Sequence, residues 1–222
     1  GVLIKRYKRF FVDIKVKNKV ITAHCPNTGS MMGLLKKGNK VWVTESSNNK
    51  RKLKYTLQII EVNKQKVGVN THLSNKIFYE ALSSGKIINL KKTDILFKEK
   101  KFNLKTRFDF FIKDKDKGCF IEVKNVTLSR TKNLAEFPDA VTERGLKHIK
   151  ELIIAKEKGF DAYLAFVIQR EDCKKFKIAD DIDPEYKKLL TLGLKNNLKV
   201  ICYDCKFSSK GIVINNRINF IK

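Results

Sequence analysis

No stretch of this 222-residue chain approaches the roughly twenty consecutive apolar residues that a membrane-crossing helix needs. The start, Gly1 to Phe11, carries Lys5, Arg6, Lys8 and Arg9, too much charge for the core of a secretion signal. A cytoplasmic protein is expected. The cysteines, Cys25, Cys119, Cys173, Cys202 and Cys205, are odd in number, in a chain too large to need disulfide staples, and read as reduced thiols. Cys202-Tyr203-Asp204-Cys205 has the spacing of half a zinc knuckle, but no second pair follows, and Cys202 reads as the buried end of the strand Lys199-Val200-Ile201. Arginine is scarce, with 8 residues among the 48 basic ones. No helix-turn-helix or zinc-finger pattern is present, so base-specific reading through guanine edges has little to stand on. Repeats and low-complexity segments are absent.

What the chain has in excess is positive charge. A formal net charge of +25 and a pI near 9.9 point to a polyanionic partner, most simply nucleic acid, bound through phosphate contacts and counterion release. DNA is the first expectation and RNA the second, since lysine-rich grooves accept either. Lysine and asparagine enrichment of this kind also follows from an AT-rich genome, so charge alone does not fix the partner. Apolar residues make up 42% of the chain, enough for one large core or two small ones.

The first part is strand-rich. Phe10 to Val16, Val20 to His24, Val41 to Thr44, Tyr55 to Ile60 and Lys66 to Val69 are short β-prone runs separated by Asn, Gly and Lys. Strands at this spacing suggest a small OB-like barrel over residues 1–71. A helix follows at Leu73 to Leu82, with Ile77, Phe78, Ala81 and Leu82 on one stripe and Gly85 closing it. Residues 72–222 then read as strand, hairpin, long connection, helix, strand, helix, strand, an α/β alternation. The first helix after the hairpin opens with Thr142 as cap and Glu143 at its positive end. Leu146, Ile149 and Ile153 form its buried stripe, and Lys156, Lys158 and Gly159 end it. Arg144, Lys147, His148 and Glu151 make up its polar face, a solvated surface or one wall of a phosphate groove. The strand Ala162 to Ile168 runs into Gln169, which could lie near a site at the strand end, and Ile182 to Leu194 is a helix with Pro184 in its first turn.

Chemistry concentrates in the hairpin. Arg107-Phe108-Asp109-Phe110-Phe111-Ile112 and Cys119-Phe120-Ile121-Glu122-Val123-Lys124 are strands joined by a polar connection, Lys113 to Gly118. Side chains alternate along a strand, so Glu122 and Lys124 point the same way, and Asp109 can meet them from the neighbouring strand. Two carboxylates with water completing the shell suit Mg²⁺ or Mn²⁺. Such a site suits a phosphodiester: the metal stabilises charge on the phosphate and generates a hydroxide, while Lys124 orients the water or neutralises transition-state oxygens. Asp and Glu-x-Lys also occur on solvent-facing strands, where opposite charges simply pair. Here the charges interrupt Phe, Ile, Val and Cys, which favours a site.

Two N-terminal features carry alternatives. Asn27-Thr28-Gly29 after a strand is either a tight turn or a loop that presents Asn27, Thr28 and backbone N–H groups to phosphates, with Arg6, Arg9 and Arg51 adding charge. Tyr7, Phe10 and Trp42 could stack on unpaired bases, although the barrel core is the expected place for most of them.

Several ordered blocks carry a family resemblance: Tyr7-Lys8-Arg9-Phe10, His24-Cys25-Pro26-Asn27-Thr28-Gly29, Val69-Asn70-Thr71, Arg107-Phe108-Asp109, Ile121 to Leu128, and Phe137 to Gly145. Together they resemble the sugar fermentation stimulation protein A family over nearly the whole chain. The resemblance implies an N-terminal OB-like domain and a C-terminal restriction-endonuclease-like, or PD-(D/E)xK, domain. It implies DNA binding linked to sugar utilisation, with nuclease activity suspected from the fold. Onto this sequence it carries Asp109 and Glu122 as metal ligands and Lys124 as the catalytic lysine, with Phe108 where the superfamily name has proline. A further acidic ligand often comes from the domain's first helix, where Glu80 is the candidate. Arg144 and Lys147 would face nucleic acid. Two functions are compatible with these residues: a Mg²⁺- or Mn²⁺-dependent endonuclease, and a non-catalytic, largely sequence-nonspecific DNA-binding regulator of sugar (maltose) metabolism.

Overall fold

The computed structural model describes residues 1–88, 90, 95–113 and 117–221; Asp114, Lys115 and Asp116 of the expected hairpin connection lie outside the described residues. The N-terminal sheet comprises β1 (Val2–Tyr7), β2 (Phe11–Val16), β3 (Lys19–His24), β4 (Val41–Glu45), β5 (Tyr55–Val62) and β6 (Gln65–Gly68). Its order is β1-β2-β3-β5-β4, with β6 on β5. Strand β1 is not expected from the sequence, because its apolar run is only Val2-Leu3-Ile4 before Lys5 and Arg6, and only Leu3 of the six residues is buried. The sheet curls until β1 meets the chain entering β4, through Leu3 N–H to Asn39 O at 2.8 Å and Val41 N–H to Gly1 O at 2.9 Å. One isolated bridge, Val2 to Lys40, joins these ends in place of a continuous ladder. Leu3, Val12, Ile14, Ala23, Leu57, Ile60 and Val67 fill the interior.

The aromatics expected in that interior are elsewhere. Tyr7 and Phe10 are 36% and 46% exposed. Trp42 is half-buried, with the Lys40 and Lys66 ammonium groups 5.1 and 5.5 Å from its ring. Aliphatic side chains already fill the interior of the curled sheet, and the larger rings are left at its surface.

The C-terminal part begins with α1 (His72–Ser83) and continues through β7 (Leu96–Lys101), β8 (Arg107–Lys113) and β9 (Gly118–Val126). Next come β10 (Leu128–Thr131), β11 (Asn133–Phe137), α2 (Glu143–Glu157), β12 (Asp161–Ile168) and β13 (Cys173–Ile178), then α3 (Pro184–Lys195), β14 (Lys199–Ser208), β15 (Gly211–Arg217) and β16 (Asn219–Ile221). The main sheet runs β15-β14-β12-β9-β8-β7, with β9, β12 and β14 parallel. One face packs on α1 through Phe78, Phe110, Ile121 and Val167. The other packs on α2 and α3 through Ile149, Leu152, Leu164 and Leu190. The long connection expected before α2 is structured: β10 and β11 form a second sheet with β13 and β16. Those strands escape a sequence reading because they are short, three to six residues each, and β13 is interleaved with lysine, so that only its Cys173, Phe176 and Ile178 are buried.

Local rules account for the helix starts. Thr142 Oγ1 accepts the Gly145 N–H at 3.0 Å, and Asp183 accepts from both Tyr186 N and Thr142 N at 3.0 Å, so one carboxylate caps α3 and fixes the entry to α2. All five cysteines are free and buried. Cys202 and Cys205 belong to the cores on opposite faces of the main sheet, a placement that rules out chelation of one zinc ion by the pair.

Candidate active site

The β8–β9 ladder pairs Lys113 with Gly118, Ile112 with Cys119, Phe111 with Phe120 and Phe110 with Ile121, and there it ends. Beyond that point the Asp109 side chain replaces the ladder: Oδ2 accepts the Val123 N–H at 2.7 Å, and Oδ1 accepts Asn75 Nδ2, from α1, at 2.6 Å. Glu122 and Lys124 share the α2 side of β9, as alternation requires, and Lys124 Nζ donates to Glu122 Oε1 at 2.9 Å. His148 completes the group from α2. Its Nδ1 contacts the same Glu122 oxygen and lies 3.0 Å from Lys124 Nζ. A ring nitrogen either accepts from the lysine or donates to the carboxylate, so the tautomer decides which bond holds. Glu122 Oε2 is buried with no hydrogen-bond partner.

Electrostatics separate the two carboxylates. Burial first, and then the charge of Glu122, push the Asp109 carboxyl up to about 7, against the Val123 N–H, Asn75 and Lys124. Burial also pushes Glu122 up, yet Lys124 and His148 outweigh it and hold that carboxyl below its ordinary value. Two hard oxygen donors, a half-buried Asp109 that holds its proton to neutrality and a buried Glu122 with an orphaned oxygen, fit a divalent cation. Among the described residues no group of three or more His, Cys, Asp or Glu could hold a metal, so a cation here would keep several waters. Glu80 does not join them. It is exposed and pairs with Lys76 at 3.9 Å, because it stands about 140° around α1 from Asn75, the helix residue that does reach Asp109.

Lys124 opens into a cleft of about 630 Å³ between the two halves of the chain. Arg6, Arg9, Asn27 and Thr28 line it from the N-terminal side, and Asn125, Asp139 and Arg144 from the other. The tight-turn reading describes Asn27: its buried side chain accepts the Gly29 N–H at 2.9 Å, an Asx turn, and only Thr28 of the pair is exposed. The Arg6 guanidinium is occupied by the carbonyls of Asn27, Gly29 and Arg9, at 2.6, 3.1 and 3.0 Å, so it shapes the rim. Arg9 and Arg144 have no partner among the described residues. Arg51 and Lys147 are not in the lining: Arg51 sits 3.4 Å from His24 Nδ1, and Lys147 Nζ bonds the Lys105 carbonyl at 2.7 Å. Gln169 lies behind the site, its Nε2 bound to Asn125 Oδ1 at 2.6 Å and, from the N-terminal half, to the Asn70 carbonyl at 3.2 Å. Sequence reasoning misses Asn75 and Asp139 as site residues and turns His148 outward; their roles depend on contacts 34 or more, 108 and 26 residues distant in the chain.

Comparison with known proteins agrees with this architecture end to end. The description "Sugar fermentation stimulation protein RE domain" matches residues 72–211, and "SfsA N-terminal OB domain" matches residues 4–69. The chain belongs to the sugar fermentation stimulation protein (SfsA) family. It is 50% identical to the homologue of Pelagibacter ubique over 221 residues, covering 100% of this chain and 95% of that one. It is 40% identical to the Bartonella quintana homologue, covering 97% and 93%. The solved SfsA of Pyrococcus furiosus, in complex with Ca²⁺, superposes with a TM-score of 0.91 at 24% identity, over 100% of this chain and 94% of that chain. The SfsA fold is thus shared at an identity where only the fold can be compared. No helix among the described residues is long and apolar enough to cross a membrane.

Proposed function

We propose that this SfsA protein is a metal-dependent phosphodiesterase that acts on nucleic acid, DNA first, in the cleft between its domains. The observation that carries this reading is the end of the β8–β9 ladder at Phe110 and Ile121, beyond which a half-buried Asp109 and a buried Glu122 interact electrostatically and Lys124 enters the cleft wall. Asp109 and Glu122 would hold Mg²⁺ or Mn²⁺, which when bound supplies Lewis-acid stabilisation of the scissile phosphate. Lys124 brings a positive charge to that phosphate from its position on Glu122, and His148 fixes the rear of the pair. Arg9 and Arg144, unpaired at the rim, present guanidinium forks to flanking phosphates. The Ca²⁺ of the Pyrococcus furiosus relative supports a hard cation, and the net charge supports a polyanion. With a net charge of +25 carried mostly by lysine, binding is expected to be weakly sequence-selective and steeply salt-dependent.

A non-catalytic DNA-binding role in the regulation of sugar metabolism is the second reading. It is favoured by the internal satisfaction of the site, where Lys124 and His148 occupy one Glu122 oxygen and Val123 and Asn75 occupy Asp109. Incubation with plasmid, linear and single-stranded DNA and with RNA, in Mg²⁺, Mn²⁺ or EDTA, separates the two. Cleavage that requires the metal supports the phosphodiesterase; tight binding with every substrate intact in both metals supports the regulator.

A further inference from the structure

A second concave surface, of about 570 Å³, lies at the other end of β8 and β9. Its floor is aromatic: Phe97, Phe102, Phe111 and Phe160 surround the buried Phe120, with ring centroids 4.6 to 6.2 Å apart along the cluster. Gly118 makes this possible, since a Cβ there would stand 2.0 Å from the Phe111 ring. Its rim is wholly cationic among the described lining residues, with Lys100, Lys101, Lys113, Lys117 and Lys158 and no carboxylate. Lys100 Nζ sits 4.9 Å from the Phe97 ring and 5.9 Å from that of Phe111, while Lys158 Nζ sits 5.3 Å from Phe102.

We propose that this groove binds an unpaired nucleic-acid strand. Ammonium groups cover aromatic faces that would otherwise meet water, and Phe97 remains 41% exposed. An unpaired base can displace an ammonium and stack on the ring, and the displaced lysine then meets the adjoining phosphate, so both partners keep a favourable contact. Duplex bases have their faces buried in the helix stack and cannot make this exchange. The cationic rim selects a polyanion over an apolar or acidic-poor protein segment. Gly118 and Lys124 are six residues apart on β9, about 20 Å at ~3.3 Å per residue. A strand that keeps the stacked rise of ~3.4 Å per nucleotide would cover about six nucleotides between the groove and the cleft, and an extended strand fewer.

The test is fluorescence anisotropy on the full chain with labelled oligothymidine and with duplex of equal length, about 20 nucleotides, in EDTA so that cleavage does not enter. Failure of the phosphodiesterase reading leaves this measurement intact. Three variants are compared: Phe97→Ala, Lys100→Glu with Lys117→Glu, and a control of equal charge change, Lys195→Glu with Lys210→Glu, at exposed positions elsewhere. Phe97→Ala alters no charge and removes an exposed ring, so its fold is expected to survive. We expect about tenfold weaker single-strand binding for Phe97→Ala, with duplex affinity unchanged. The groove charge variant is expected to lose more on single strand than the control does. Wild-type single-strand affinity in Phe97→Ala, or equal losses on single strand and duplex, would overturn the proposal.

Discussion

Asp139 Oδ2 accepts the Met31 N–H at 2.9 Å, and the Asp139 carbonyl accepts the Ser30 hydroxyl at 2.6 Å, so one residue of the C-terminal part holds the rim loop of the N-terminal sheet. Gly29 lies against the same carboxylate, where a Cβ would stand 2.6 Å from Oδ2. Asp139→Ala is expected to cost about 1.5–3 kcal/mol, the range for a hydrogen bond to a charged group. Gly29→Ala is expected to act in the same direction by displacing the carboxylate. Hydrogen exchange at residues 27–31 should quicken in both, and unchanged exchange would show that the contact does not hold the loop.

His148 supplies the α2 side of the carboxylate pocket. In His148→Ala the buried Glu122 keeps its hydrogen bond from Lys124 on β9 and loses part of what holds its carboxyl low. A destabilisation of about 1–3 kcal/mol is expected in urea melts. Cleavage is expected to fall about tenfold or more with nucleic-acid affinity unchanged, because the histidine orders the lysine and the glutamate without lining the cleft. Loss of affinity in proportion to rate would contradict this role.

Asp109 gives the metal-free protein a specific pH dependence. Its carboxyl holds its proton to about pH 7 in the folded chain, whereas it ionises near pH 4 when unfolded. Between those values the native state binds more protons, so this group makes stability fall as pH rises from about 4 to about 7, and its effect is constant above. Carried by this group alone, the full effect is on the order of 4 kcal/mol. Asp109→Asn removes it. In EDTA, the stability of the asparagine variant relative to wild type should therefore increase from pH 5 to pH 8, as measured by urea midpoints. A difference that stays constant over that range would contradict the protonation described here.

The residues legible from sequence are those governed by local periodicity. Glu122 and Lys124 share a face because strand side chains alternate, and α2 and α3 begin where Thr142 and Asp183 can cap them. Residues whose place depends on distant packing were harder to read. His148 follows Lys147 and reads as part of the polar face with Arg144 and Glu151, yet it shares the inward stripe with Gly145, Ile149 and Leu152. Glu80 has the right charge on the right helix but the wrong azimuth, and Asn75 takes its place beside Asp109. Lys147 and Arg51 have the expected charge, but their reach ends at Lys105 and His24. Strand β1 has a short apolar run, Val2-Leu3-Ile4, cut off by Lys5 and Arg6, and buries only its leucine.

The central claim is that Lys124 does chemistry in a cleft that others shape. The most direct measurement compares wild type with Lys124→Ala for both cleavage and binding of the same DNA, in Mg²⁺ or Mn²⁺. In Lys124→Ala the rate is expected to fall at least about a hundredfold, as removal of a charge-stabilising group does, while affinity changes by less than about threefold. Equal cleavage by both proteins, or no cleavage by wild type on any substrate, would contradict it.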